Sequence, residues 1–195
     1  MHSQLIGSTL TGYSVKLLPV AQQDLALLFN WRNEKSIREQ MVDQKLISFE
    51  QHQQWFNALS SKKAEQHFVI YYKNDAIGVI NIKTVQTVGQ TQGHENGEVG
   101  LYIANENYKG NIVAFAPSLV INDLAFEQLK LKRLSSKVRA DNFAALKYNQ
   151  QLGYQLAPEE NGFIAISLTA DNYYKTTKSL KQFLSRGNKL VNRAT

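Results

Sequence analysis

Three consecutive segments rich in β-branched and aromatic residues constrain the fold of this chain most strongly. They span residues 67–72, 76–85 and 98–103. The pair Asn74-Asp75 suits a tight turn between the first two segments, whereas residues 86–96 are polar and contain two glycines, which is typical of a longer loop. The pattern therefore predicts three strands in one meander, with a loop that could border a substrate site.

Helical periodicity flanks these strands. Apolar spacing predicts helices over residues 22–31, 48–59, 114–128 and 142–152, and further strands over residues 13–18, 133–138 and 163–168. Ser48 followed by Gln51 has the form of a capping box, and Pro117 suits a first helical turn, where its missing N–H is not needed. The predicted order is βα, α, βββ, α, β, α, β, which indicates an α/β (α+β) fold.

Composition limits the class of protein. A chain of 195 residues with 43% hydrophobic content is long enough for one core, and one domain is expected. It contains no apolar run that could span a bilayer, and residues 1–12 lack the pattern of a signal peptide, so we expect a cytoplasmic protein with no membrane partner. Cysteine is absent, and the histidines show no ligand spacing, so we expect no metal. The histidines are His2, His52, His67 and His94.

The net charge of +6 suits an anionic ligand such as coenzyme A or a nucleotide, and it would also suit nucleic acid. Many of the cations fall near the end of the chain, at Lys175, Lys178, Lys181, Arg186, Lys189 and Arg193. We therefore expect a domain over residues 1–170 and a basic helical extension over residues 171–195. The rest of the chain is closer to neutral, which makes nucleic acid an unexpected partner.

Several short motifs occur at matching places in this predicted order. They are Trp31-Arg32-Asn33, Ile77-Gly78, Glu98-Val99-Gly100-Leu101-Tyr102, Ala125-Phe126-Glu127, and the series Asn142, Ala145, Tyr148, Leu152-Gly153-Tyr154. Together they resemble the GNAT superfamily of N-acetyltransferases over roughly residues 13–168. The resemblance implies a GNAT fold: a central mixed, mostly antiparallel twisted sheet of six to seven strands flanked by about four helices. It also implies acetyl-CoA as cosubstrate, no metal, and direct transfer of an acetyl group to a primary amine.

The resemblance also implies where the cosubstrate binds. The strand at residues 98–103 would splay from its neighbour, leaving backbone groups of Leu101, Tyr102, Ile103 and Ala104 free to pair with the pantetheine arm. Lys109, Gly110, Asn111, Ile112 and Val113 would form the phosphate loop, in which backbone N–H groups and a helix N-terminus hold the pyrophosphate. Ile112 or Val113 stands where the family often has a second glycine. A Cβ at such a position restricts the backbone.

Two residues are candidates for proton transfer. Strand alternation places Glu98, Gly100 and Tyr102 on one face, and Glu98 could act as general base or could be a structural carboxylate. By its place in the family pattern Tyr148 would protonate the departing thiolate, and the alternative is an aromatic core residue. Asn142 could satisfy pantetheine amides or begin a helix, and Ala145 completes the expected cosubstrate contacts.

Within the superfamily, the segment from Trp31 to His52 resembles the N-acetyltransferases of the pseudaminic acid pathway, whose relatives acetylate the 4-amino group of nucleotide-linked deoxysugars. The substrate residues expected from this resemblance are Arg32, Asn33, Met41, His52 and Lys83. Four of them have a structural alternative: an ion pair for Arg32, core filling for Met41, a boundary position for His52, and plain exposure for Lys83. Two other functions stand beside this one, a protein N-terminal acetyltransferase and a noncatalytic acetyl-CoA-binding or nucleic-acid-binding module. We expect a monomer or a homodimer.

Overall fold

The computed structural model describes residues 8–62, 64–85 and 96–191, with side chains up to residue 186. The predicted loop over residues 86–96 lies outside this part of the chain except for Asn96, and so do His2, His94 and Arg193. Among the described helices, none is long and apolar enough to cross a membrane. In the same residues, no group of three or more histidine, aspartate or glutamate side chains is arranged to hold a metal ion.

The described residues form one eight-stranded sheet in the order β1-β2-β3-β4-β5-β6-β8-β7. The strands are β1 Leu10–Gly12, β2 Val15–Pro19, β3 Glu65–Tyr72, β4 Asp75–Val85, β5 Asn96–Ile103, β6 Arg133–Arg139, β7 Gln155–Glu160 and β8 Phe163–Thr169. All neighbours are antiparallel except β5 and β6, which are parallel. The predicted mixed, mostly antiparallel sheet is confirmed.

The two strands that the pattern does not pick out are the edges of the sheet. β1 is three residues long and is joined to β2 by Tyr13 and Ser14, both at positive φ (51° and 68°). Residue 13 was predicted to begin a strand and instead forms this turn, which local alternation does not reveal. β7 contains Pro158 and is mostly exposed, as is common in edge strands that avoid pairing with other chains.

Six helices flank the sheet within the described ranges. They are α1 Leu25–Asn33, α2 Lys35–Arg38, α3 Phe49–Leu59, α4 Ala116–Asp123, α5 Phe143–Gln151 and α6 Ala170–Val191. The capping box is confirmed, because the Gln51 N–H donates to Ser48 Oγ at 3.1 Å and the Ser48 N–H donates to Gln51 Oε1 at 2.8 Å. Pro117 lies in the first turn of α4, as predicted. The predicted helix over residues 114–128 is composite: a 3-10 turn at Ile112–Phe115 precedes α4, and a π-helical segment at Leu124–Gln128 follows it.

The two faces of the sheet carry separate cores. The larger core joins the sheet to α4 and α6, and it includes Leu119 and Tyr173. A smaller core of Leu28, Val69 and Val79 lies on the face covered by α1 and α3. The alternation predicted for β5 is confirmed, because Val99, Leu101 and Ile103 pack on the larger core whereas Tyr102 packs on the smaller one.

Candidate active site

The sheet opens between its two parallel strands. β5 pairs with β6 only at Asn96 with Arg133 and at Gly97 with Leu134, while β4 stays paired with β5 as far as Ile103. β5 and β6 therefore diverge beyond Gly97, and a cavity of about 1180 Å³ lies next to the opening. Such an opening exposes one backbone edge of β5 to a ligand, since that edge has no neighbouring strand to satisfy it.

Three of the four residues predicted along this edge line the cavity: Leu101, Tyr102 and Ile103. The N–H of Ala104 is not free as expected, because it donates to the Ile77 carbonyl at 2.8 Å, and contact of Ala104 with the cosubstrate stays a prediction. The ladder between β4 and β5 simply continues one residue past the Gly78 and Ile103 pair. Ala104 is buried and does not line the cavity.

The loop after β5 leads into the helical turn before α4. Lys109, Gly110, Asn111 and Ile112 line the cavity, and Val113 does not. Gly110 has φ +68°, a left-handed conformation that favours glycine. Ile112 and Val113 are not among the residues at positive φ, so their Cβ atoms do not conflict with the backbone. The Val113 N–H donates to Asn111 Oδ1 at 3.0 Å and thus serves a cap within the loop.

α5 contributes the predicted residues Asn142, Ala145 and Tyr148, and all three line the cavity. Asn142 begins the helix, because its Oδ1 accepts the Ala145 N–H at 3.0 Å. The Nδ2 group of Asn142 is not part of this cap. The helix-start interpretation therefore holds, and contact with the cosubstrate stays a prediction.

The Tyr148 hydroxyl lies between α5 and the start of α4. It is 2.8 Å from Ser118 Oγ and 3.0 Å from the Ala114 carbonyl oxygen, and the ring stacks on Phe115 at 4.6 Å. Burial raises the pKa of Tyr148 well above its usual value, and the hydrogen bond with Ser118 opposes part of this shift. The hydroxyl therefore keeps its proton through neutral pH, the state that a proton donor requires.

The segment between α1 and α3 also lines the cavity. Met41, one of the predicted substrate residues, lies there with Ser36, Ile37 and Gln40. Asn33 does not line the cavity. Its amide donates to the Ile47 carbonyl and accepts the Ile47 N–H, both at 3.0 Å, so it holds this segment in place.

Arg32 and His52 do not line the cavity. Each has a buried polar atom that makes no hydrogen bond among the described residues. Arg32 Nη2 donates to the Asp43 carbonyl at 2.8 Å, while Arg32 Nη1 and His52 Nε2 are buried with no hydrogen-bond partner among the described residues. His52 is 5% exposed and stacks on Trp55. Burial lowers the pKa of His52, the backbone of Leu25 opposes this shift, and the Arg32 charge adds to it. The imidazole is therefore neutral at pH 7.

Tyr102 links this group to the open strand. Burial raises the pKa of Tyr102, the charge of Arg32 acts in the opposite direction, and that of Glu34 adds to the rise. Arg32 therefore lies close enough to influence a tyrosine that lines the cavity. Buried donors without partners cost free energy, which is typical of sites where a ligand completes the hydrogen bonds.

Glu98 and Lys83 are not among the residues that line the cavity. They face each other across β4 and β5, and both are exposed. Glu98 does share the sheet face of Tyr102. The roles of Glu98 as base and Lys83 as substrate ligand stay predictions.

Sequence reasoning missed several residues that line the cavity. They include Ser118 on α4, Lys137 and Arg139 on β6, Lys147 on α5, and Thr176, Ser179 and Leu180 on α6. Lys147 lies one position before Tyr148, and both β6 cations precede Asn142, so their closeness to predicted residues was an available signal. The contribution of α6 had no such signal, because it arises from contacts distant in sequence.

A sheet that opens between parallel neighbours, beside a glycine-containing loop and an N-terminal helical turn, is the architecture of a GNAT-type acetyltransferase. The sequence model of the acetyltransferase (GNAT) domain family matches residues 14–155 of this chain, and the chain belongs to this family. It is similar to the acetyltransferase PseH of Campylobacter jejuni strain 81-176, with 32% identity over 149 residues that cover 75% of this chain and 86% of that protein.

The chain is also similar to a further curated protein and to solved structures. The spermidine N(1)-acetyltransferase of Escherichia coli K12 is 22% identical over 149 residues, covering 76% of this chain and 77% of that protein. The crystal structure of Campylobacter jejuni PseH in complex with acetyl coenzyme A has a TM-score of 0.60 and 27% identity, covering 80% of this chain and 99% of that one. The aminoglycoside acetyltransferase AAC(6')-Ib with ribostamycin and coenzyme A has a TM-score of 0.69 at 15% identity, covering 84% and 97%, which supports the fold alone.

Proposed function

We propose that this protein transfers the acetyl group of acetyl-CoA to a primary amine of a small molecule, the 4-amino group of a nucleotide-linked deoxysugar. The observation that carries the proposal is a single cavity that joins the open edge of β5 and Tyr148 to the segment containing Met41. A cosubstrate and an acceptor can meet in such a cavity. The similarity to PseH, whose crystal structure contains acetyl coenzyme A, supports the same conclusion.

The residues around the cavity fit acetyl-CoA. The unpaired edge of β5 offers backbone groups to the amides of the pantetheine arm, as a neighbouring strand would. The loop at Gly110 lies in the cavity wall just before the start of a helical turn, where anions are favoured. Lys137, Arg139 and Lys147 bring positive charge to the phosphates. When bound, the thioester supplies the activated acetyl group.

In this proposal one side chain donates a proton and another accepts one. Tyr148 holds a proton at its hydroxyl and donates it towards the sulfur that leaves. Glu98 lies on the same face of β5 as Tyr102. It takes a proton from the amine through water, since its side chain is exposed. The chain has no cysteine, and the transfer is direct. Most of the rate then comes from holding two reactants together, for which effective molarities of about 10⁵ M or more are known.

The unpartnered groups on the acceptor side favour an anionic substrate over a polycation. Arg32 lies close to Tyr102, which lines the cavity, and its guanidinium only donates hydrogen bonds, which suits phosphate oxygens. The neutral His52 Nε2 is buried nearby without a partner among the described residues. Repulsion from Arg32 would oppose a polyamine such as spermidine. We therefore favour the nucleotide-linked amine, and we also propose a cytoplasmic location and a monomer or homodimer.

The test is incubation with acetyl-CoA and a panel of amines, read by mass spectrometry. The panel contains a nucleotide-linked 4-amino-deoxysugar, the same sugar without its nucleotide, spermidine and a short peptide with a free N-terminus. We expect the nucleotide-linked sugar to gain one acetyl group and to have the highest kcat/KM. Preferred acetylation of the peptide would instead establish a protein N-terminal acetyltransferase. Binding of acetyl-CoA without turnover of any amine would establish a noncatalytic module.

A further inference from the structure

The C-terminal helix α6 forms part of the cavity wall, although it lies beyond residues 14–155 that the family model matches. We propose that α6 is part of the cosubstrate site and contacts the nucleotide end of coenzyme A through Thr176, Ser179 and Leu180. This inference rests on the proposed function, because it assigns a subsite for the same ligand. It gives the helix a role beyond that of a basic extension.

The three side chains belong to one face of the helix. Residues at spacings of three and four share a helical face, and Thr176, Ser179 and Leu180 have this spacing. All three line the same cavity as Gly110 and Tyr148. Thr176 and Ser179 bring hydroxyl groups that can donate or accept hydrogen bonds, and Leu180 brings an apolar surface. This mixture suits a nucleoside, which has an apolar base and a polar sugar.

α6 is held against the body of the protein and is not a loose extension. Tyr173 and Thr177 are fully buried. The Tyr173 hydroxyl lies 3.0 Å from the Leu119 carbonyl oxygen and 2.8 Å from Asp123 Oδ1. Lys181 forms an ion pair with the same carboxylate. A wall fixed in this way can contribute to binding, because little ordering remains to be done when a ligand arrives.

The start of α6 also packs closely against the turn after α5. A Cβ on Gly153 would lie 2.8 Å from the Asn172 carbonyl oxygen, and Gly153 has φ +96°. Gly153 directly follows Leu152, which lines the cavity with Gln151 at the end of α5. α6 therefore closes the side of the cavity next to α4 and α5.

The side chains of α6 suit the nucleotide end of the ligand. In the proposed function the thioester lies at Tyr148 and the acceptor enters past Met41, and both residues line the same cavity as α6. The loop at Gly110 and the cation Lys147 take the phosphates. α6 then adds the mixed polar and apolar surface that a nucleoside needs, and its exposed Lys175 and Lys178 add positive charge.

Two matched leucine substitutions on α6 test this assignment by calorimetric titration. Ser179→Leu adds bulk at a position that lines the cavity, whereas Ser185→Leu makes the same change at a position of the helix that does not line it, and both serines are exposed. The probes are coenzyme A and 4′-phosphopantetheine, which lacks the nucleoside. Intrusion into a fitted site corresponds to roughly a tenfold or larger loss of affinity. We expect this loss for coenzyme A with Ser179→Leu only, and unchanged binding of 4′-phosphopantetheine to all three proteins.

A second measurement on the unmodified protein does not depend on how the variants fold. In NMR spectra, backbone amide signals of residues 176–180 should shift with coenzyme A and stay in place with 4′-phosphopantetheine. Equal effects of both probes, or equal affinities of the two variants for coenzyme A, would overturn the assignment of α6 and leave acetyl-CoA as cosubstrate. If the unmodified protein binds no coenzyme A, the proposed function itself fails together with this inference.

Discussion

The Tyr148 hydroxyl lies 2.8 Å from Ser118 Oγ, so the side chain proposed to donate a proton is fixed by a neighbour on α4. Its second contact, with the Ala114 carbonyl oxygen at 3.0 Å, comes from the helical turn just before α4. The tyrosine thus joins α5 to the helix that follows the glycine-containing loop. Its position in the cavity and its chemical role depend on the same contacts, and a test has to separate the two.

Tyr148→Phe should lower kcat by about 100-fold to 10,000-fold, the usual range for a positioned acid or base. The ring remains stacked on Phe115, so coenzyme A should bind with nearly unchanged affinity. Ser118→Ala is the control, because it removes the hydrogen-bond partner and leaves the proton donor in place. We expect it to lose far less activity. Equal loss in both variants, or unchanged turnover in Tyr148→Phe, would show that the tyrosine serves packing.

Arg32→Gln should weaken binding of the acceptor amine and leave binding of acetyl-CoA unchanged. Hydrogen bonds to charged groups are worth about 1.5–3 kcal/mol, which corresponds to roughly a 10-fold to 150-fold rise in KM for a nucleotide-linked amine. The matched variant is Lys35→Gln, since Lys35 is a nearby, highly exposed cation that pairs with Glu39. Steady-state kinetics should give an unchanged KM for acetyl-CoA in both. A similar rise in KM for the sugar without its nucleotide would contradict phosphate recognition.

Local sequence rules predicted those elements whose causes are local. The box of Ser48 and Gln51 needs only the first turn of α3, and the alternation around Tyr102 follows from strand geometry alone. The opening between β5 and β6 was predicted from resemblance, and pairing that ends after Gly97 agrees with it.

The parts that sequence did not reveal depend on contacts between distant residues. Tyr173 and Lys181 reach Asp123 across 50 and 58 positions, and nothing in the basic composition of the segment indicates that α6 would line the cavity. Ala104 was assigned a free N–H because the end of a ladder depends on its partner strand, here at Ile77. Glu98 was placed on the correct face, but its distance from the cavity depends on the tertiary fold.

Acidification should destabilise the protein through its buried histidines. Burial lowers the pKa of His52, and it also lowers that of His67 although Glu65 opposes the shift. The unfolded chain then binds more protons than the folded one below the ordinary histidine pKa of about 6.5. The free energy of unfolding should therefore be constant above this pH and fall as pH drops from about 6.5 towards the folded-state values. Urea titrations of the wild type and His52→Gln should show a flatter pH dependence in the variant.

Glu98→Gln tests the proton acceptor. Because the side chain is exposed, the substitution should leave the thermal midpoint unchanged, which removes a structural explanation in advance. We expect about a 100-fold loss of kcat/KM at pH 7, the lower end of the range for such catalysis, with partial recovery as pH rises and more of the amine is unprotonated. Glu159→Gln, at an exposed carboxylate on β7, is the control. Full activity at pH 7 would exclude Glu98 from the mechanism.

Gly153→Ala should destabilise the protein more than Gly162→Ala, although both glycines have positive φ, +96° and +78°. Alanine in this region of the backbone costs about 1 kcal/mol or somewhat more at either site. At Gly162 nothing lies within 4 Å of the added Cβ, whereas at Gly153 the Asn172 carbonyl oxygen would be 2.8 Å away, so α6 has to move. The extra displacement should lower the free energy of unfolding by about 1–3 kcal/mol beyond the Gly162 variant, as overpacking does. It should also weaken coenzyme A binding, because Asn172 lies in the first turn of α6, the helix that carries Thr176 and Ser179. Urea unfolding and calorimetric titration of the two variants measure both effects, and equal results for the pair would mean that α6 is not seated on this turn.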